Sequence, residues 1–113
     1  ATTLLAIPYA LCDFEEYLGF IEEAESLLEE VGLSGVIQLA SFHPEYQFEG
    51  EPLESAGHYT NRAPFPLIHF LREEMVARAL DQFPDPEQIP QRNIQTLEAM
   101  GVAKIEQMLK DLL

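Results

Sequence analysis

Two short apolar runs separated by one amphipathic helix set what this chain can build. Thr2–Ile7 reads TTLLAI and is closed by Pro8, and Gly35–Phe42 reads GVIQLASF. Both are too short for an ordinary helix and suit buried strands. Between them, Asp13 and Glu16 have the spacing of a capping box, with Cys12 and Tyr17 in staple positions. From about Phe14 to Val31, the residues Phe14, Tyr17, Leu18, Ile21, Ala24, Leu28 and Val31 keep the helical period. The other face carries Glu15, Glu22, Glu23, Glu25, Glu29 and Glu30, and Gly32 is the expected stop. Each run is apolar at nearly every position, as in strands covered on both faces. The expectation is an α/β fold: a right-handed βαβ unit in a parallel or mixed sheet flanked by helices.

After Phe42 come about twenty residues without a period, His43–Ala63, a length that marks a functional loop, a lid or partial disorder. The loop leaves the carboxyl end of a predicted parallel strand, where open α/β sheets place their ligand crevices. Pro64 and Pro66 suit the first turn of a helix capped by Asn61. Leu67, Ile68, Leu71, Met75 and Ala79 would give that helix a buried side as far as Leu80. Asp85-Pro86 marks a turn, Pro90 opens a helix ended by Gly101, and Val102–Leu112 forms a last amphipathic helix, three C-terminal helices in all.

At 113 residues the chain is one domain spanning 1–113. Two strands fall short of the three or so that an independent sheet needs. Either a missing N-terminal segment or a second copy of the chain, as a homo-oligomer, is expected to complete the sheet. The first is preferred, making this the C-terminal part of a longer protein.

The net charge is −14, and residues 1–61 hold twelve acids with no Lys or Arg. Such a surface repels nucleic acid and anionic membranes, whose phosphates are bound through Lys and Arg. No apolar run approaches the roughly 20 residues of a membrane span. The single cysteine excludes an internal disulfide and suits a reducing cytoplasm.

Candidate chemistry concentrates in Ala40–Arg72, which holds all three histidines and two of the six basic residues. His43, His69 and Glu73 would form a two-histidine, one-carboxylate set for zinc, iron or manganese, with His69 and Glu73 one turn apart on the predicted helix. The plainer reading is that His43 caps the strand and His69 pairs with Glu73. His43 and His69 are also the candidates for acid–base catalysis. Arg62 and Arg72, with Tyr59 and Asn61, are the candidates for binding an anionic substrate, to which Arg92-Asn93 of the next helix could contribute; pairing with glutamates is the structural alternative. Ser41 and His43 lack a nucleophile elbow. Tyr46, Phe48, Tyr59 and Phe65 either close the loop over a pocket or bury it.

The blocks TTLLAIP, DFEEYLGFIEEAESLL, QLASFHPEYQF, YTNRAPFPLIHFLRE and IPQRNIQTLEAMG together resemble an uncharacterised family, domain of unknown function 1415, found mainly in bacteria with related plant proteins. The resemblance implies no established activity. It implies an N-terminal part with a Cys-Pro-Phe motif that this chain lacks, and Cys12 does not correspond to that cysteine. The leading expectation is a cytoplasmic small-molecule enzyme or ligand-binding protein with its site at the strand ends. The alternative is a non-catalytic interaction protein whose acidic helix face, Glu15–Glu30, docks a basic partner.

Overall fold

The first helix forms where its caps predict. In the structure, a computed structural model describing residues 2–112, α1 spans Phe14–Glu30. The Asp13 carboxylate accepts from the Glu16 N–H at 3.1 Å, satisfying one of the orphan donors of the first turn. At the other end Gly32 takes φ +77°, and the Leu33 and Gly32 N–H groups donate to the carbonyls of Leu28 (2.8 Å) and Glu29 (3.1 Å). That is the Schellman pattern, and it needs a residue without a Cβ penalty at this point.

Three strands form the sheet: β1 (Thr3–Ala6), β2 (Ile37–Phe42) and β3 (Leu67–Arg72), in the order β1-β3-β2. Both pairings are antiparallel, which corrects the expected parallel unit. β1 and β2 do run in the same direction, since each opposes β3. The strand–helix–strand unit is therefore present but split by a strand inserted between its halves.

That inserted strand is the segment expected to be helical from Pro64. The apolar spacing of Leu67, Leu71 and Met75 fits a helix, but a short apolar run fits a strand equally well. Pro64 and Pro66 bias Ala63 and Phe65 towards extended backbone, which leads into a strand rather than a helix. The Pro66 carbonyl already accepts from Ile7 N–H at 2.9 Å, continuing the β1 edge. With β3 inside the chain, the sheet reaches three strands. The two-strand count behind an added segment or a second subunit no longer holds.

Helix α2 (Glu73–Asp81) follows β3 directly, a single 3-10 turn covers Pro86–Gln88, and α3 (Ile89–Met100) and α4 (Val102–Asp111) close the chain. Three C-terminal helices are present as expected, the first starting later. The long loop is not bare either: Ala56–Asn61 forms a 3-10 helix.

One side of the sheet carries the core. Tyr17 and Ile21 of α1 meet Ile68, with Ile7, Leu11, Phe14, Leu39 and Phe70 packed around them. The register agrees, because Ser41 pairs with Ile68 and Leu39 with Phe70 on this face. Fully burying a large apolar side chain such as Ile68 contributes about 1.5–3 kcal/mol.

Tyr17 also carries the polar join. Its hydroxyl donates to the Leu67 carbonyl at 2.6 Å and accepts from the Phe42 N–H at 2.9 Å. Phe42 and Leu67 are register partners at the end of the β2–β3 ladder, so the phenol oxygen relays a bond that the strands would otherwise make directly. Tyr17→Phe is expected to leave both groups unpaired and to cost about 1–3 kcal/mol in urea denaturation. Burial raises the Tyr17 hydroxyl above its ordinary value of 10.0; the bond from Phe42 N–H opposes this and the Tyr46 hydroxyl adds to it. A raised folded-state value makes the unfolded chain release its proton first. The stability contributed is whole below pH 10 and is lost as pH rises through the folded value. The native chain should therefore lose stability more steeply than Tyr17→Phe above pH 10, which paired thermal melts would read.

Candidate functional site

The two buried histidines are held by backbone groups on both ring nitrogens. His43 is fully buried; its Nε2 donates to the Leu11 carbonyl at 2.9 Å and its Nδ1 accepts from Glu45 N–H at 3.0 Å. Leu11 presents that carbonyl from a left-handed backbone, φ 58°, which is unusual for so bulky a residue. His58 repeats the arrangement, donating from Nε2 to the Pro52 carbonyl at 2.7 Å and accepting at Nδ1 from Phe48 N–H at 3.1 Å. Both are thus Nε2–H tautomers, each clipping two stretches of loop together.

Aromatic rings extend the same scaffold. His43 lies 4.9 Å from the Tyr17 ring and 5.3 Å from Phe14; Phe14 meets Tyr46 at 5.1 Å, Tyr46 meets Phe48 at 5.1 Å, and Phe48 stacks on His58 at 6.1 Å. The long loop is therefore packed from the core outward. Tyr46 and Phe48 bury it, and Phe48 also lines a recess described below.

The predicted metal set does not assemble. His43 sits against α1, on the core side of the sheet. His69 is on β3 opposite Ala40 and Leu4, residues of the reverse face. Its Nε2 bonds the Thr2 hydroxyl, which itself donates to the Phe70 carbonyl at 3.0 Å. Glu73 is the first residue of α2 rather than a neighbour one helical turn from His69. Among the described residues no three His, Cys, Asp or Glu side chains are grouped to hold a metal ion. Ser41 gains no histidine partner, since both nitrogens of His43 are committed to backbone.

The two arginines also stand apart. Arg72 ends β3 and is exposed, whereas Arg62 precedes its start. The strand alone separates them by roughly 17 Å at about 3.3 Å per residue. Arg62 donates from Nε to the Tyr46 carbonyl at 3.0 Å and lies over the Tyr59 ring at 4.4 Å. The Tyr59 hydroxyl reaches Glu106 of α4 at 2.9 Å. Its proton is held above the usual range chiefly by burial and then by the bond to Glu106, with Arg62 pulling the other way. Asn61 is structural too: its Nδ2 donates to the Ser41 carbonyl at 3.0 Å, and its own carbonyl accepts from His43 N–H at 3.1 Å, closing the outer edge of β2. The glutamate pairing expected of Arg62 and Arg72 is absent among the described residues, where the ion pair is Arg78 with Glu74.

A site emerges instead where α3 lies over the 3-10 helix. Gly57 is buried there, and a Cβ on it would stand 3.6 Å from Ile94 Cγ1, so the two elements touch closely. Beside this contact a recess of about 1080 Å³ opens between the 48–61 segment and α3. Phe42, Phe48, Ala56 and Ile94 supply apolar surface, and Glu49, Glu51, Glu54 and Glu98 supply carboxylates. Asn61 is the one predicted substrate-binding residue that lines it. Ile94 and Gln91 of α3 are not legible as site residues, whereas Asn93 is read beside Arg92 as a contributor from this helix. Four glutamates and no basic residue within 45–54 are the available signal.

His43→Ala and His58→Ala are each expected to lower stability by about 2–4 kcal/mol, because each strands a buried donor and a buried acceptor. His69→Ala should stay within about 1 kcal/mol, its ring being half-buried with one hydroxyl partner. Zinc should shift the melting temperature of the chain and of His69→Ala equally, as differential scanning fluorimetry would show.

Among the described residues no helix is long and apolar enough to cross a membrane. No curated protein and no solved structure matches the chain. The family pattern described as "Protein of unknown function (DUF1415)" matches residues 1–107, nearly the whole length of the chain. With the resembling blocks all inside the matched span, the chain belongs to the DUF1415 family.

Proposed function

We propose that this protein binds a small ligand, and that its seat is the recess between the 48–61 segment and α3. The observation that carries this reading is the construction of the wall. A long loop without sheet or helix partners over much of its length is held in one shape by His58, by the Phe48–His58 stack and by the Ser55 hydroxyl accepting from Gly57 N–H at 3.3 Å. A recess that sets polar and charged groups beside apolar surface can hold and orient a small molecule. The protein would work in a reducing compartment, consistent with Cys12 standing free and exposed.

Backbone amide spectra of the labelled chain, titrated with a fragment set, test this. Shifts should cluster at Phe48, Ala56, Gly57 and Ile94. Gln91→Trp, on the exposed rim, should abolish them with little change in melting temperature. Binding that maps elsewhere, or survives that substitution, overturns the reading.

A second reading draws support from the scatter of His43, Arg62 and His69. A second recess of about 730 Å³ beside α1 is lined by Glu22, Glu25, Glu29 and Glu73 and, among the described residues, by no basic one, a surface suited to a basic partner. Charge reversal at Glu22, Glu25 and Glu29 that left every captured partner bound would remove it.

A further inference from the structure

We infer that the ligand of the recess is a small organic cation with an apolar body, an alkyl- or aryl-amine; this rests on the recess being the seat. The lining divides by chemistry. Phe48, Ala56 and Ile94 give a hydrocarbon surface. Glu49, Glu51 and Glu54 come from the loop and Glu98 from the facing helix, so both elements bring acidic residues to the lining. Among the described residues no Lys or Arg lines the recess to neutralise them. Like charges above low-dielectric walls concentrate a negative potential in the space between. An anion entering there is repelled, and an ammonium group is drawn to the rim while its hydrocarbon part leaves water against the floor.

The spacing of the carboxylates favours an organic cation over a bare metal ion. Metal binding needs three or more donors converging on one point. Among the described residues no such group of His, Cys, Asp or Glu exists. An ammonium group asks for less: three N–H donors that single carboxylates or amide oxygens satisfy from different directions. Gln91 and Asn93 of α3 lie on the same lining and offer side-chain oxygens. The carboxylates are exposed and screened, so each pair is weak, and selectivity comes from several acting together.

Three probes of one shape test the inference by backbone amide titration at pH 7 and about 50 mM salt: 4-phenylbutylamine, 4-phenylbutanol and 4-phenylbutyrate. The amine should bind at least about tenfold more tightly than the acid, with the alcohol between, as expected of several weak exposed pairs. The gap should narrow in about 0.5 M salt, where the screening length falls towards a few ångströms. The triple variant E49Q/E51Q/E54Q should narrow it likewise, chiefly by weakening the amine. Equal binding of acid and amine at Phe48, Ala56 and Ile94 would overturn the cation assignment while leaving the seat intact. No movement of those amides with any of the three probes would overturn the seat, and the assignment with it.

Discussion

The phenol of Tyr17 is the join on which the rest of the structure depends. A helix laid on a sheet is ordinarily held by apolar contact alone, which fixes distance better than register. Here the ring fills the core beside Ile21 and Ile68, and its oxygen accepts from Phe42 and donates to Leu67. One atom thereby ties the start of α1 to the point where β2 and β3 part. Beyond that point His43 turns onto the Leu11 carbonyl, and the loop departs along the rings of Phe14, Tyr46 and Phe48. The wall of the recess inherits its position from this sequence of contacts.

Histidine serves here as a backbone clip. A neutral imidazole offers one donor and one acceptor at a fixed angle, matching an N–H and a carbonyl from different turns of chain. His43 and His58 each use both. In a loop of this length many backbone groups lack strand or helix partners, and leaving them unpaired when buried is costly. Every buried side-chain nitrogen and oxygen among the described residues has a partner. His43 and His58 supply such partners to four backbone groups in and beside the loop.

Charge is arranged around this frame rather than within it. The helix face of α1 and the recess rim are acidic, while Arg62 is held by a carbonyl and an aromatic ring instead of a carboxylate. Guanidinium suits that place, since it is planar, stacks on tyrosine and donates at the same time. Arg62 consequently braces the Tyr46 turn against Tyr59, and Tyr59 carries the brace on to Glu106 of α4.

Local chemistry made much of the fold legible. The Asp13 cap, the Gly32 stop, the first two strands and the helices after Pro90 and Gly101 all follow from rules that act over a few residues. Leu67–Arg72 did not, because an apolar six-residue run satisfies a helix face and a buried strand alike. What decides is whether two strand edges wait on either side of it, a fact about distant parts of the chain. The candidate site shows the same divide. Sequence alone determined where the histidines and the first two arginines fall, between Ala40 and Arg72, and how acidic their surroundings are. Only tertiary structure decided that His43 and His69 occupy opposite faces of one sheet and that α3 closes a recess over the loop. Strand pairing and side-chain burial join residues tens of positions apart, and no local pattern encodes that geometry.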